Sequence, residues 1–403
     1  MTAIESIHAA HGATFGERGG RRIVEEYGRP ERAHRAVRNG VGWIERARGV
    51  VVVEGDDRVE YVDNVVSNRV PTGDGAGAYA LVLDPQGRIE TEMVVYNAGD
   101  RLLCLMPPER AEPLATDWAE KIFIQDVTVR DASDEFAIFG VHGPLATEKV
   151  ASVLAGPGTP ETPFSFVRGG IGEAGVTVAR TDAPTGEEGY AVICRVEAAA
   201  TVAEALGTGG MATTPFGYRT LESLTLEAGT PLFETELEGR IPNLLGLRSA
   251  LDFEKGCYVG QEVVSRVENR GRPSQRLTGL ALEEGNGVEN DEASVTDDGS
   301  VVANEATTGS TDGSDDPVES ERDRPAVPTV GAAVFDGDAS VGEVTRAAWS
   351  PLLERPIALG LVDYDSEATD LTVRVEGEEV PAERRELPFV EGSERSGRLP
   401  AYP

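Results

Sequence analysis

The sequence predicts an α+β protein that ends in a small all-β module. Three observations support this fold class. Apolar runs of strand length dominate residues 43 to 106, helical and strand patterns are mixed from 107 to 229, and strand patterns separated by Gly, Pro and Asp turns follow residue 324. Separate runs of helices and strands of this kind are typical of an α+β architecture.

Residues 1 to 38 are predicted to form a partly helical N-terminal segment. Between Arg29 and Arg38 an arginine recurs every three residues, which fits one solvent-exposed face of a helix. The strand-rich region begins with VVVVEG. The segment AYALVLDPQGRIETEMVVY then predicts a hairpin around the turn DPQG at residues 84 to 87, because Pro and Gly favour tight turns.

Helices and strands are both predicted between residues 107 and 229. The apolar spacing of PERAEPLATDWAEKIFI, EKVASVLAG, TVAEALG and GYRTLESLTLEAG indicates helices, and the last helix is expected to end at Gly229. VTVRDASDEFAIFGVHG predicts two short strands, whereas GVTVAR and EGYAVICRV predict one strand each. We therefore expect an α+β region over residues 39 to 275.

The all-β module is predicted at residues 276 to 390, with a tail at 391 to 403. An acidic insertion interrupts the module at residues 283 to 324, which contain 14 Asp or Glu, two Arg and no aromatic residue. Such a segment cannot bury enough apolar surface to offset the entropy lost on ordering, so we expect it to be disordered.

The 403-residue chain is strongly acidic, with a formal net charge of −33 and only three lysines beside 34 arginines. This composition indicates a salty cytoplasm, since at about 1 M salt the Debye length falls to roughly 3 Å and the repulsion between carboxylates is screened. The same charge disfavours contact with tRNA or other nucleic acid. No run of 18 apolar residues occurs, so we expect a cytoplasmic monomer without a membrane segment.

Several classes of site lack support in the sequence. The three cysteines and four histidines are scattered, and they supply neither CxxC nor a recognisable zinc or iron–sulfur ligand set, so we expect no metal centre. The sequence also lacks a Walker A loop, a GxSxG elbow and a GxGxxG motif after a strand. These absences argue against nucleotide hydrolysis, serine hydrolysis and Rossmann-type cofactor binding.

The stretch KGCYVGQE, residues 255 to 262, places the rare residues Lys255 and Cys257 two positions apart. Gly256 and Gly260 permit unusual backbone angles there. A nearby ammonium and the start of a helix near Gly260 would lower the pKa of a thiol and favour an anion. A buried structural cysteine is the alternative interpretation, and local chemistry gives the two equal weight.

Three other features are candidate ligand contacts. Glu90 and Glu92 would share one face of a strand, although paired glutamates are more often solvated. Tyr190 either stacks on a planar ligand or, as we favour, packs in the core. A basic stretch after the motif either receives carboxylates, phosphates or RNA, or pairs with the acidic surface, and its closeness to the motif favours anion binding. Its arginines are Arg266, Arg270, Arg272 and Arg276.

At KGCYVGQE the sequence resembles the YgfZ branch of the aminomethyltransferase, or GcvT-like, superfamily of folate-binding proteins. YALVLDPQGRIETEMVVY resembles its hairpin, FAIFGVHGPLA resembles ALxGxQGPxA, and TGEEGY resembles TGExGYE. LTLEAGTPLFETEL is similar to LRLEAGxPLYGxEL, and VGEVTRAAWSPLLERPIAL is similar to VGxVTSxxxSPxLxxxIAL. Apart from the insertion, the resemblance covers roughly residues 40 to 390.

The resemblance implies a ring of two interlocked α+β domains and a C-terminal β-barrel domain around a cavity that accepts tetrahydrofolate. It implies support of iron–sulfur cluster assembly or repair, with links to tRNA modification and with iron–sulfur client or assembly proteins as partners. Cys257 would be the central residue and Lys255 its neighbour. The other expected contacts, to folate, are Glu92, Tyr190, Tyr258, Gly260, Gln261, Glu262 and Arg266.

The alternative function is that of the superfamily's enzymes, which pass an aminomethyl or methyl group to tetrahydrofolate. By the resemblance, Glu92 would then align the folate nitrogen. The enzymes' pattern GGIxDD corresponds to GRIETE in this chain, so their Asp pair falls on Thr91 and Glu92. Their pterin-contacting Glu falls on Ala191 and an Arg falls on Leu221, so two expected folate contacts are missing.

Overall fold

The structure is a computed structural model that describes residues 2–283 and 324–402. All but the two end residues of the predicted acidic insertion lie outside the described ranges. Within those ranges the helices are α1 Glu5–Ala10, α2 Pro30–Arg38, α3 Arg58–Val65, α4 Pro108–Glu120, α5 Ala146–Val153, α6 Ala199–Thr208, α7 Tyr218–Glu227 and α8 Gln261–Arg270.

The described strands form a two-stranded hairpin, a five-stranded sheet, a six-stranded sheet and a closed barrel. They are β1 Thr14–Arg18, β2 Arg21–Glu26, β3 Gly42–Glu45, β4 Gly49–Glu54, β5 Ala76–Leu83, β6 Ile89–Asn97, β7 Arg101–Met106, β8 Thr128–Asp131, β9 Phe136–His142, β10 Phe166–Ile171, β11 Ala174–Arg180, β12 Gly189–Arg195, β13 Thr214–Pro215, β14 Gln275–Leu282, β15 Ala333–Asp336, β16 Ala339–Ser350, β17 Arg355–Asp363, β18 Asp370–Val375 and β19 Glu378–Arg385.

The two α+β parts interlock because the chain crosses from one sheet to the other at residues 46–48. β3 lies in the six-stranded sheet, order β10-β11-β12-β9-β3-β13, whereas β4 lies in the five-stranded sheet, order β5-β6-β7-β4-β8. The facing sides of the sheets pack through one apolar cluster that includes Val52 and Leu103 from one sheet and Ile138 and Ile193 from the other. The space between the sheets is therefore part of the protein interior.

Helices cover the outer face of each sheet. Tyr61 of α3 and Trp118 of α4 pack with Val51 and Val53 against the five-stranded sheet. Apolar residues of α5 and α6 pack in the same way against β9 and β12 of the six-stranded sheet. Both sheets are thus buried on two faces, which explains the near-continuous apolar run of β4.

The C-terminal part is a closed six-stranded barrel with the order β14-β17-β16-β15-β18-β19, in which β14 pairs with both β17 and β19. Leu280, Val344 and Val373 belong to its apolar core. Helix α7 packs against β16 of the barrel, against β2 and against α2. It therefore joins the barrel to the N-terminal segment.

The predicted fold class, an α+β region followed by a β-barrel, is confirmed. Gly229 follows α7 with φ +65°, as expected for the residue after a helix end. The hairpin β1–β2 in the N-terminal segment was not predicted. The exposed face assigned to α2 is wrong at Arg38, which is buried because it forms ion pairs with Glu187 and Glu227.

Candidate functional site

A cavity of about 70 Å³ lies between the two facing sheets. Arg46 and Arg48 of the crossing segment line it, together with Val94 of β6, Tyr190 of β12 and Arg398 near the C-terminus. These residues come from distant parts of the sequence. The cavity is therefore a product of the interlocked fold and has no counterpart in any single motif.

Glu92 lies beside this cavity on β6 and is only 4% exposed. Its carboxylate accepts hydrogen bonds from Tyr79 Oη at 2.8 Å, from Arg398 Nη1 at 2.7 Å and from Arg48 Nη1 at 3.1 Å. Both oxygens are thus engaged by described residues. A buried carboxylate held by two guanidinium groups and a phenol is fully paired, as its burial requires.

The two glutamates of β6 do not share a face, so that part of the prediction is wrong. Thr91 pairs with Val82 and Ile89 pairs with Leu83, which leaves Glu90 as the extra residue of a β-bulge. A bulge shifts the alternation of side chains along a strand. Glu90 is consequently exposed to solvent while Glu92 is buried.

The electrostatics of the site keep Glu92 ionised. Burial by itself raises the pKa of this carboxyl group, but the charges of Arg398 and Arg48 and the hydrogen bonds from Tyr79 and Arg48 outweigh burial and hold the pKa at about 2. A group with this pKa is a permanent hydrogen-bond acceptor at neutral pH. It is a poor general acid or base there.

Arg398 supplies the main positive charge of the site. Its guanidinium also donates to Asp182 Oδ2 and lies 4.3 Å from the ring centroid of Tyr79. The side chain is inserted between Glu92 on one sheet and Asp182 in the loop before β12. It therefore bridges the two α+β parts from inside.

A second polar feature of the cavity wall is His142, which is 1% exposed. Neither of its ring nitrogens has a hydrogen-bond partner among the described residues, and the same holds for Arg46 Nε. Burial lowers the pKa of His142 to about 3, and the nearby charge of Arg46 acts in the same direction. The wall thus presents a neutral imidazole and a guanidinium, which suit an anionic or hydrogen-bonding ligand.

Tyr190 reaches the cavity wall but belongs to the core of the six-stranded sheet. Its hydroxyl group lies 2.8 Å from Thr147 Oγ1 and accepts a hydrogen bond from Arg180 Nη1 at 2.7 Å. The neighbouring Ala191 also lines the cavity. Ala191 supplies no carboxylate at that position.

Lys255 is buried and fixed by backbone carbonyl groups. Its ammonium donates to the carbonyl oxygens of Asp63, of Val66 at 2.9 Å and of Asn68 at 3.0 Å, and lies 3.4 Å from Asp63 Oδ1. Burial lowers the pKa of this lysine although Asp63 opposes the effect. These carbonyls lie at and just beyond the end of α3, where helical partners are lacking, so Lys255 stabilises a helix end.

Cys257 is exposed, whereas Cys104 and Cys194 are buried and burial raises their pKa to about 12. Gly256 has no neighbouring atoms around the position that a Cβ would take. Cys257 is therefore the accessible thiol among the described cysteines. No hydrogen bond or ion pair connects it to Glu92 within the described residues.

The rest of the motif packs α8 against the predicted hairpin turn. Tyr258 is buried, and burial raises its pKa to about 12. Gly260 has φ +80°, and a Cβ there would lie 2.6 Å from the carbonyl oxygen of Asp84, so this position requires glycine. Gln261 follows as the first residue of α8.

The basic stretch pairs mainly with the acidic surface. Glu262 and Arg266 form an exposed ion pair of 2.7 Å along α8, and Arg272 pairs with Asp365. Arg276 donates to the carbonyl oxygen of Ser366. The structure thus places Tyr190 at the cavity and joins Glu92 to it through Arg48 and Arg398, whereas the residues of the motif and α8 do not line the cavity.

No group of three or more His, Cys, Asp or Glu side chains in the described ranges is arranged to hold a metal ion. No helix in the same ranges has the length and apolar character needed to span a membrane.

Two known protein-family models match this chain. The family described as GCVT N-terminal domain matches residues 4–255, well over half of the chain. The chain belongs to this family. The family described as glycine cleavage T-protein C-terminal barrel domain matches residues 318–391, which include the strands β15 to β19. The expected superfamily is therefore confirmed.

Two curated relatives of this GCVT-family chain are both named aminomethyltransferase. An aminomethyltransferase of Saccharopolyspora erythraea is 27% identical over 96% of this chain and 97% of the relative. An aminomethyltransferase of Cutibacterium acnes is 28% identical over 97% of this chain and 98% of the relative. The crystal structure of glycine cleavage system aminomethyltransferase T from Bartonella henselae has a TM-score of 0.77 at 20% identity, covering 97% of this chain and 98% of that one, which supports the fold.

Sequence reasoning missed several residues of the site in this GCVT-family chain. Arg46 and Arg48 interrupt two apolar strands, and this charged interruption was the available signal. His142 lies in FAIFGVHGPLA, at the Gln of the pattern ALxGxQGPxA, but was not singled out, and Asp182 carried no distinguishing pattern. Arg398 lies beyond both family matches, in a tail whose sequence gave no indication of burial.

Proposed function

We propose that this protein transfers a one-carbon unit from an aminomethyl donor to tetrahydrofolate. The observation that carries the proposal is Glu92, an ionised carboxylate buried beside the central cavity, at the position onto which the resemblance maps one of the family's aspartates. The names of the curated relatives support the same reaction class. They favour it over the iron–sulfur function expected from the YgfZ resemblance.

A carboxylate with a pKa of about 2 contributes by accepting hydrogen bonds and by orienting a ligand, and it does not supply a proton at neutral pH. Hydrogen bonds from Tyr79 and Arg48 fix its position. Glu92 therefore fits the role of a positioning group for a nitrogen-bearing ligand. This is the role that the resemblance implies for it.

The cavity of about 70 Å³ by itself does not fit tetrahydrofolate, because ordinary ligand pockets have roughly 300 to 1,000 Å³. A neighbouring cavity of about 430 Å³ shares Arg46, Arg48 and Ile138 with it. Arg398 occupies the space beside Glu92, and Ala191 and Leu221 offer neither of the two expected polar contacts. We therefore derive no chemical step through folate from this arrangement.

The test is product formation from an aminomethylated lipoyl carrier protein and tetrahydrofolate in multimolar KCl. Methylene-tetrahydrofolate should form with the natural chain, and Glu92→Gln should lower kcat/KM by about 10- to 100-fold because a positioning contact is lost. Glu90→Gln is the matched control on the same strand, exposed to solvent, and should stay within about twofold. Absence of product with the natural chain would contradict the proposal.

A second candidate function is support of iron–sulfur cluster assembly or repair. The observation that favours it is the exposed thiol of Cys257 in KGCYVGQE. Because the described residues contain no metal-binding group, any cluster contact would need ligands from a client or assembly protein. Replacing Cys257 with Ala should then abolish the activity of iron–sulfur client enzymes in cells while leaving one-carbon transfer intact. Unchanged client activity would exclude this role.

A further inference from the structure

The chain continues past its last barrel strand and past the family match, which ends at residue 391. We name residues 392–402 the strap. The barrel is already closed by β14 and β19, which ends at Arg385, so the strap adds nothing to the sheet. Its side chains are nevertheless partly interior, with Ser393, Ser396 and Arg398 buried.

The strap crosses the α+β parts and reaches the barrel. The amide of Gly397 donates to the carbonyl oxygen of Asp182 at 2.7 Å, and the amide of Ala401 donates to Gly246 at 2.9 Å. Tyr402 accepts a hydrogen bond from the amide of Leu277, the third residue of β14, at 2.6 Å. The strap therefore passes over the cavity while its end is attached at the barrel.

Arg398 is the residue of the strap that fills the site. It is 5% exposed, its Nη1 lies 2.7 Å from Glu92 Oε2, and its Nε donates to Asp182. Its guanidinium lies over the ring of Tyr79. A planar cation therefore occupies the place beside Glu92 that a planar, nitrogen-rich ligand would need.

The ion pairs of Arg398 with Glu92 and Asp182 mainly offset the free-energy cost of removing these charged groups from water, and they add little net stability to the fold. Moving a guanidinium and two carboxylates out of water costs several kcal/mol per ion, and a buried pair often does no more than balance that cost. The backbone attachment rests on a few hydrogen bonds, each contributing about 1 kcal/mol. Departure of the strap would leave Glu92 and Asp182 without Arg398, so the open state is the minor one, but it breaks no strand pairing of the sheets or the barrel.

We propose that the strap is an internal competitor of the folate, with Arg398 masking Glu92 until a ligand of folate size displaces it. The proposal rests on the proposed function and adds a closed state to it. In the closed state Arg398 is one of the residues that line the cavity of about 70 Å³. Apparent affinity then equals intrinsic affinity multiplied by the fraction of open molecules.

The first test is calorimetric titration of 5-formyltetrahydrofolate, a stable reduced folate, into three full-length proteins in multimolar KCl. If the strap is closed in about nine of ten molecules or more, Arg398→Ala should bind at least about tenfold more tightly than the natural chain. Arg395→Ala is the matched control, since Arg395 lies on the same strap but forms an exposed ion pair with Glu188. It should stay within about twofold.

A chain that ends at Glu391 gives a second, independent variant and should bind at least as tightly as Arg398→Ala. Its thermal unfolding should remain cooperative, which checks that loss of the Tyr402 contact leaves the barrel folded. Equal affinity of all variants, or weaker binding after Arg398→Ala or truncation, would overturn the competitor role. Weaker binding would instead make Arg398 part of the folate site.

Hydrogen exchange of the natural chain tests opening without any folate. The amides of Gly397 and Ala401 should exchange faster than those of β14 and β17, because the strap opens locally while the barrel stays closed. Exchange of strap and barrel amides at the same rate would show that the strap leaves only on global unfolding, and would overturn the proposal. Folate binding to none of the variants would instead refute the proposed function, while the exchange result still decides whether the strap opens.

Discussion

Two buried glutamates, Glu92 and Glu227, show how one residue type serves two purposes in this molecule. Glu227 at the end of α7 is 0% exposed. Its carboxylate lies 2.8 Å from His34 Nε2 and 3.2 Å from Arg38 Nε, and accepts a hydrogen bond from Ser350 Oγ at 2.6 Å. These partners come from α2 and from the barrel strand β16. Glu227 therefore joins the N-terminal segment, α7 and the barrel.

Glu92 has an equally complete set of partners but a different setting. Its partners Arg48 and Arg398 line a cavity, and Arg398 belongs to a strap beyond the last barrel strand. Glu227, by contrast, is paired with residues of regular elements that cannot leave without unfolding. The difference indicates that a buried charge is structural where all its partners are fixed. It is available for function where one partner is replaceable.

The largest expected effect is on stability at Glu227. Replacing Glu227 with Ala removes the buried carboxylate shared by His34 and Arg38 and leaves Arg38 only its ion pair with Glu187, which should lower the free energy of unfolding by about 3 to 5 kcal/mol. Glu92→Ala should cost less, about 1 to 3 kcal/mol, because the cavity can admit water to Arg48 and Arg398 can leave with the strap. Equilibrium urea unfolding in multimolar KCl measures both changes.

The exposed Glu90 provides the control for this pair. Glu90→Ala should change the free energy of unfolding by no more than about 0.5 kcal/mol. A loss at Glu92 equal to or larger than that at Glu227 would contradict the distinction between the fixed and the replaceable pair.

The next largest expected effect is a pH dependence of the free energy of unfolding, caused by the ionisation of Glu92. Its pKa is about 2 in the folded protein against 4.5 for the ordinary group, so the folded state favours the ionised form. The resulting stabilisation, of order 3 kcal/mol, is fully present above about pH 4.5 and is lost as the pH falls towards 2. The difference in unfolding free energy between the natural chain and Glu92→Gln should therefore shrink over this range. A difference independent of pH would contradict the assignment.

The smallest expected effect is on the free energy of unfolding at two residues of the motif, Lys255 and Cys257. Lys255→Met should lower the free energy of unfolding by about 1 to 3 kcal/mol, because the carbonyl groups of Asp63, Val66 and Asn68 would lose their buried donor. Cys257→Ser, two residues away and exposed, should stay within about 0.5 kcal/mol. Urea unfolding of both variants is the measurement, and equal losses would contradict a structural role specific to Lys255.

Much of the local structure could be predicted from the sequence. The hairpin around residues 84 to 87, the helix ending before Gly229 and the C-terminal strands all follow from patterns that repeat every two or 3.6 residues or from turn residues. The preference for Tyr190 in the core also agrees with the structure. Each of these features depends on a few neighbouring residues, and so a single sequence contains the necessary information.

The site itself was less accessible to such reasoning. The β-bulge at Glu90 depends on pairing with β5, and it separates two glutamates that simple alternation places together. Lys255 looked like the electrostatic neighbour of a thiol, yet its ammonium is held by the end of α3, about 190 residues earlier in the chain. Spacing along the chain does not reveal such partners.

The sequence by itself determined an acidic α+β protein with a C-terminal β-barrel, and the residue types from which a site could be made. Only the tertiary structure decided which of them meet. Glu92, Asp182 and Arg398 come together because β6, the loop before β12 and the strap are brought to one cavity by the packing of the two sheets. Local propensity acts over a few residues, whereas pairing of buried charges is set by contacts between segments that are far apart in the chain.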